Sequence, residues 1–301
     1  MTAVSAYAVP EFIDRKRIVW AQVKSVQYAL YQSFAYRYPG PIRSLRHELM
    51  VTPRATYGGQ ELRRTKVSVT PPLEVSSHKD AFGNTVLAAK AETVEAGLEF
   101  RFLSTVQNRA GVRPVHLSAA EVAPFFEATP LTEADAKMRG VARELRATYT
   151  GTLAFAARLN EWVHHALQYG FGATDTRTPA FAALAGGVGL CQDYAHIMVA
   201  MCRAAGVPAR YVSGHMLGEG GSHAWTEVLV PEGGAFVAYG FDPTNRRRPG
   251  LDYLVVALGR DYSDVPPTAG SFDAPYNGEL TCVKRAGLTR VEYSSGEVVR
   301  V

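Results

Sequence analysis

Even-numbered apolar positions mark the first third of the chain. Val26, Tyr28, Leu30, Phe34, Tyr36 and Tyr38 recur two or four apart, the period of a strand with one buried face. Pro39 and Pro41 break that run. Leu45–Thr52, Leu62–Val69, Thr85–Lys90 and Thr93–Leu103 read as further strands. In the last of these, Val94, Leu98, Phe100 and Phe102 share a face opposite Glu95, Glu99 and Arg101. Asp80 to Asn84 (DAFGN) reads as a hairpin turn. Short strands separated by turn signals predict an antiparallel β-sandwich-like domain.

Between Gly111 and Pro130 the period changes. Ser118 and Glu121 suit a capping box on a short helix. Thr132 with Asp135 is expected to open a second helix carrying Met138, Val141, Ala142 and Leu145. A third carries Leu159, Trp162, Val163, Ala166 and Leu167. Thr178 should cap a short helix with Pro179 at its first position. Next, Tyr194, Ile197, Met198, Met201, Cys202 and Ala205 make one apolar stripe, which Gly206 and Pro208 end. Strand patterns follow at Val207–Leu217, from His223 (HAWTEV) and in FVAYGF up to Asp242. Leu251–Leu258, Glu279–Lys284 and Thr289–Tyr293 are expected to complete a sheet. The fold class is α+β: a tail over 1–20, a β-rich domain over 21–125, and a helix-then-strand domain with C-terminal strands over 126–301.

A length of 301 residues exceeds the usual single core and favours two domains. The hydrophobic share of 47% and charged share of 20% are those of a globular protein. A net charge of +4 with no basic cluster interleaved with aromatics argues against nucleic acid. Arg246, Arg247 and Arg248 read as a solvated turn, with binding of a substrate carboxylate as the minority alternative. Three cysteines are too few for a disulfide framework and suit a reducing compartment. The opening MTAVSAYAVPEFIDRKR lacks a basic stretch followed by an apolar run, so neither a signal peptide nor a membrane helix is expected. The expected localisation is cytoplasmic.

Candidate chemistry centres on Cys191. Gly186, Gly187 and Gly189 form a flexible turn before it, and the helix begins at it. Helix N-termini favour thiolates, the nucleophilic form of cysteine. His223 opens a strand and Asp242 closes the next. Sequential strands usually pair, which brings the two side by side. The expected set is Cys191 as nucleophile, His223 as general base then acid, and Asp242 orienting the imidazole.

GGVGLCQDYAHIMVAMCRAAGVPARYVSGH, HAWTEV and FDPTN resemble the transglutaminase-like superfamily, in its bacterial cysteine-protease-like branch. Cys191, His223 and Asp242 match that family's catalytic residues in order. VTPR and DAFGN resemble a bacterial transglutaminase-like N-terminal region, and LVVALGRDYSDVPPTAGSF resembles the tail of that branch. The resemblance implies a papain-like/transglutaminase-like core behind the β domain. It also implies thiol acyl transfer on peptide, amide or isopeptide bonds of a peptide or protein substrate, with hydrolysis favoured. Transglutaminase-type amine transfer and a non-catalytic peptide-binding module are the alternatives. Papain-like enzymes place an oxyanion-hole Gln shortly before the Cys. Here AGGVGL holds none, which leaves the second donor unassigned.

The remaining candidates read more plainly. Cys202 and Cys282 are expected in the core, and Asp193 is expected to serve the helix dipole. His196 should be structural, Trp225 should pack beneath the catalytic strand, and His164 and His165 show no evident partner. His215 is a candidate substrate contact. No zinc spacing, CxxC pair or calcium loop occurs, so no metal or cofactor is expected. The β domain is a candidate for shaping the cleft, recognising substrate or forming a homo-oligomer.

Overall fold

The computed structural model describes residues 11–111 and 114–301. The expected tail falls partly outside these residues. From Glu11 on the chain is tied down: Ile13 bridges to Leu288, and Arg15 Nη1 donates to Leu217 O at 2.6 Å.

The N-terminal part is a two-sheet sandwich. Its strands are β1 (Val23–Arg37), β2 (Ile42–Leu49), β3 (Thr56–Tyr57), β4 (Gln60–Thr70), β5 (Val75–Lys79), β6 (Thr85–Val94) and β7 (Gly97–Arg109). The stretch expected as one strand over Thr93–Leu103 is the end of β6, a tight turn and most of β7. Val94 therefore lies on a different strand from Leu98, Phe100 and Phe102, although all four are buried in one cluster. DAFGN does join β5 to β6, closed by Asp80 N donating to Asn84 O at 3.2 Å. Strand β1 uses one face twice. Tyr28 and Leu30 pack toward the remainder of the molecule, while Phe34 fills the sandwich with Leu45, Leu49 and Phe100.

The second part begins with β8 (His116–Leu117) and α1 (Ala119–Val122), where Ser118 and Glu121 form the expected capping box. Helices α2 (Ala136–Thr148) and α3 (Thr152–Ala166) follow, then β9 (Gln168–Tyr169), α4 (Ala180–Gly186), β10 (Val188–Gly189) and α5 (Cys191–Ala204). Two caps differ from expectation. Asp135 alone caps α2, accepting from Met138 N at 2.8 Å. Thr132 instead accepts from Arg203 Nη1 at 2.7 Å, inside the core. Pro179 is the N-cap of α4, and Thr178 bonds back to Asp175.

The core sheet contains β11 (Ala209–Met216), β12 (His223–Glu232), β13 (Ala235–Phe241) and β14 (Tyr253–Gly259), in the order β14-β11-β12-β13-β8. Helix α5 lies against it, burying Ile197, Met198, Met201 and Cys202 with Val228 and Phe241. Burying these side chains supplies about 1.5–3 kcal/mol each.

The last strands do not finish this sheet. β15 (Thr268–Asp273) pairs with β2, β16 (Glu279–Tyr293) pairs with β1, and β17 (Val298–Arg300) follows β16. Only β14 stays with the core, so the C-terminal strands expected within 126–301 complete the two N-terminal sheets. The segments Glu279–Lys284 and Thr289–Tyr293 are one strand, because β1 is long enough to pair with both. The chain thus returns across its own β domain and straps the two parts together.

Side-chain amides seal the seam. Gln60 exchanges two 2.8 Å hydrogen bonds with the backbone of Val255, and Asn84 binds Leu258 N and O at 2.9 and 2.7 Å. These amides act as a surrogate strand on the edge of β14. Buried Arg210 holds Glu227 at 2.8 Å and donates to the Tyr57 hydroxyl at 2.6 Å.

Gly214 lies in β11 opposite His223. A Cβ there would meet Leu254 O and approach the Trp225 ring within 2.6 Å. Gly214→Ala is therefore expected to cost about 1–3 kcal/mol. Thermal unfolding checks this: an unchanged Tm would mean the strand gives way freely.

Candidate active site

Local sequence explains why Cys191 stands at a helix end. Gly187 ends α4 in the left-handed region at φ 70°. Directly after it β10 pairs in parallel with β9, which fixes the approach to α5. Gly189 is required by contact, since a Cβ would sit 2.8 Å from the Asp193 Cβ. Asp193 Oδ2 accepts from Leu190 N and from the Thr174 hydroxyl, both at 2.7 Å. Thus Asp193 ties down the turn that presents Cys191, as its place in the first turn suggested.

Cys191 is part-exposed at the first position of α5. It opens into a cleft of about 950 Å³, which His223, Glu219, Asn245, Cys282 and Lys284 also line. Tyr169 and Phe171 form its rim, with rings 6.0 Å apart; Phe171 is 83% exposed.

His223 is 1% exposed. Its Nε2 lies 2.8 Å from Asp242 Oδ2. Trp225 stacks along the imidazole at 6.1 Å, as expected of a residue packed beneath this strand. The other ring nitrogen, Nδ1, has Glu219 Oε2 at 2.9 Å but without the alignment of a hydrogen bond. Burial pulls the His223 pKa down. The hydrogen-bonded Asp242 and the nearby Cys191 and Glu219 outweigh that and push it up to about 12. The direction favours the imidazolium, with Nε2 committed to Asp242.

Asp242 follows β13 and is fully buried. Burial alone would raise its pKa; His223, Tyr253 and Asn245 hold it below the ordinary value. Tyr253 OH donates to Oδ2 at 2.5 Å, Asn245 Nδ2 at 2.8 Å, and Thr244 N donates to Oδ1 at 3.0 Å. A buried carboxylate needs such a set of donors. Arg247, from the expected solvated run, reaches Tyr253 OH at 2.9 Å and Asp252 at 2.6 Å.

The remaining expectations divide. His215 is 4% exposed, does not line the cleft, and lies with Nδ1 3.1 Å from Gly221 O. It supports the loop carrying Glu219 rather than a substrate. His196 is structural, accepting from Tyr262 N at 3.1 Å. His164 does have partners, the carbonyls of Pro243 and Thr244 at 3.2 and 3.1 Å. Cys202 is in the core, where burial pushes its thiol up to about 12. Cys282 is not in the core: it is exposed on β16 and faces the cleft, because β16 joins β1 instead of the core sheet.

Glu219, Tyr253, Asn245 and Lys284 were not anticipated. Asn245 carried a signal, standing three residues after Asp242 within FDPTN. The others arrive through the Gly218–Ser222 loop, β14 and β16, whose placement no local pattern states. A larger cavity of about 1190 Å³, lined by Arg54, Phe82, His116 and Arg260, shares no residue with the cleft and contains no cysteine. Among the described residues no three His, Cys, Asp or Glu side chains converge as a metal site, and no helix is long and apolar enough to cross a membrane.

Residues 139–241 match the transglutaminase-like superfamily, and residues 28–107 match the bacterial transglutaminase-like N-terminal region. The first match takes in Cys191 and His223 and stops one residue before Asp242. An uncharacterized protein of Mycobacterium leprae is 27% identical over 260 residues, covering 80% of this chain and 91% of that protein. An uncharacterized protein of Mycobacterium tuberculosis is 40% identical over 114 residues, 34% of this chain and 36% of that protein. A solved structure described as "a Putative Cysteine Protease from Cytophaga hutchinsonii" superposes with a TM-score of 0.75 at 20% identity, covering 91% of this chain and 94% of that one. That similarity establishes the fold, a transglutaminase-like core with a sheet-rich N-terminal part. By these matches, residues 139–241 belong to the transglutaminase-like superfamily, and residues 28–107 ahead of them form a bacterial transglutaminase-like N-terminal region.

Proposed function

We propose that the chain is a thiol-dependent acyl-transfer enzyme acting on peptide, amide or isopeptide bonds. The observation that carries this reading is His223, fixed by Asp242 on one ring nitrogen, sharing a cleft with a cysteine at a helix N-terminus. Cys191 is the nucleophile, His223 the acid and base, and Asp242 the orienting carboxylate.

The thiolate attacks the carbonyl carbon, forming a C–S bond and an oxyanion. The Cys191 backbone N–H at the start of α5 is one donor to that oxygen. Collapse breaks the C–N bond as His223 gives its proton to the departing amine, leaving a thioester. Water then attacks, His223 takes a proton from it, and the C–S bond breaks to release acid and free thiolate. Hydrolysis is favoured over amine transfer because Cys191 is part-exposed and the cleft rim at Tyr169 and Phe171 is exposed, which leaves the thioester open to water.

Iodoacetamide at mildly acidic pH, read by site-resolved mass spectrometry, tests the activated thiol. Cys191 is expected to label well ahead of Cys282, whose exposed thiol is pushed up in pKa by its partial burial. His223→Ala should remove that advantage. Peptides incubated with and without an added amine then separate hydrolysis from transfer. Labelling of Cys191 no faster than Cys282 would overturn the reading and favour a binding module.

A further inference from the structure

The wall of the cleft facing α5 comes from the other end of the chain. Strand β16 belongs to the sandwich, where Lys284 pairs in register with Gln32 and Cys282 with Phe34. Both Cys282 and Lys284 nevertheless line the Cys191 cleft. A strand of the β domain thus supplies the cleft with an ammonium, the only lysine or arginine that lines it among the described residues.

Lys284 is held in place. Its Nζ donates to Ser222 Oγ at 3.3 Å and lies 5.6 Å from the centre of the Phe34 ring. Ser222 is the residue before His223, so the ammonium stands beside the imidazolium's strand. Its neighbourhood lacks a counter-charge. Among the described residues no carboxylate lies within ion-pairing distance of Lys284. Glu219, the acid on the same cleft, is turned to His223 instead. Partial burial draws the lysine's pKa below its usual value, as expected of an ammonium with little water and no carboxylate partner.

We propose that Lys284 and Ser222 form an anion subsite that binds a carboxylate of the substrate next to the reacting bond. An ammonium has three donors, and only one is used within the described residues. Ser222 Oγ accepts from Lys284, so its own proton remains free to donate. Together they offer two converging donors, one of them charged, and charge-assisted hydrogen bonds to a carboxylate are the stronger kind. A lone carboxylate fits better than a doubly charged phosphate, because Glu219 shares the cleft and repels added negative charge. The carboxylate has two sources in a peptide: an acidic side chain or the chain's α-carboxylate. This subsite rests on the acyl-transfer reading for its meaning but is tested without turnover.

The test is protection of Cys191 against iodoacetamide, followed by site-resolved mass spectrometry on the full chain. Three probes are compared: N-acetylglutamate α-amide, with a side-chain carboxylate; N-acetylglycine, with an α-carboxylate; and N-acetylglutamine α-amide, which is neutral. One or both charged probes are expected to half-protect at a concentration about tenfold lower than the neutral one. Whichever charged probe protects identifies the source. Lys284→Met should erase the difference, and Lys284→Arg should retain much of it, which separates lost charge from lost folding. Equal protection by charged and neutral probes would overturn the subsite. So would a charge preference that survives in Lys284→Met. Slow labelling of Cys191 in the free protein would count against the acyl-transfer reading alone, since relative protection remains measurable at any labelling rate.

Discussion

Cys191→Ala is expected to abolish acyl transfer, lowering kcat by about 10⁴-fold or more. The alanine has no nucleophile, and neither Cys282 nor Cys202 can stand in. Cys202 is fully buried, about three turns further along α5 than the helix end that carries Cys191. Cys282 lines the cleft from β16, away from the helix end that presents Cys191. Folding should hardly notice. Cys191 is part-exposed, and the turn before it is held by Asp193, Thr174 and the β9–β10 pairing rather than by the thiol. A surface-side change of this kind moves stability by about 0.5 kcal/mol, a Tm shift within about 2 °C. Turnover assays beside thermal unfolding check both halves. Full activity in the variant would end the nucleophile assignment. A wild type and variant that bind peptide equally, with neither turning it over, would establish the binding-module alternative.

Local pattern and chain order made much of this molecule legible. The alternation in β1 and the stripe of α5 are periodic signals set by which faces are buried, and both elements lie where the period puts them. The Ser118–Glu121 capping box is likewise a short-range device. His223 and Asp242 meet because sequential strands pair, a rule that needs no knowledge of distant residues. What could not be read was long-range choice. Nothing local says that β16 prefers β1 to the core sheet, yet that choice delivers Cys282 and Lys284 to the cleft. Tyr253 reached Asp242 for the same kind of reason: β14 pairs with β11 across an irregular register. Caps failed where several polar residues competed. Thr132 was drawn away by Arg203, a buried guanidinium that also needs the carbonyls of Phe125, Ala209 and Arg260.

Asp242→Asn is expected to be the most informative lesion of the fold and the chemistry together. In the wild type a fully buried carboxylate and a nearly fully buried imidazolium neutralise each other at 2.8 Å. Removing one charge leaves the other unpaired, which costs about 3–5 kcal/mol unless the imidazole gives up its proton. With Asp242 gone, burial is the largest remaining influence on His223 and favours the neutral ring, opposed by Cys191 and Glu219. Turnover should then fall by about 10⁴-fold, through loss of the ring's orientation and of its cation. The pH dependence carries the sign. The pKa of His223 is raised from 6.5 to about 12, so its contribution to stability is complete below pH 6.5 and fades as pH climbs toward 12. Asp242 is lowered from 3.8, so its contribution is complete above that value and is lost as pH falls through the lower folded pKa. The two windows overlap between pH 3.8 and 6.5. There the stability gap between wild type and Asp242→Asn should be widest, narrowing steadily through alkaline pH. Paired Tm measurements from pH 4 to pH 10 read the gap directly, with shared titrations of other groups cancelling in the difference. A gap that stays constant over that range would mean the pair is not ionised in the folded protein. In that case Asp242 would act on His223 as a neutral hydrogen-bond partner, and the nucleophile would have to be activated without an imidazolium beside it.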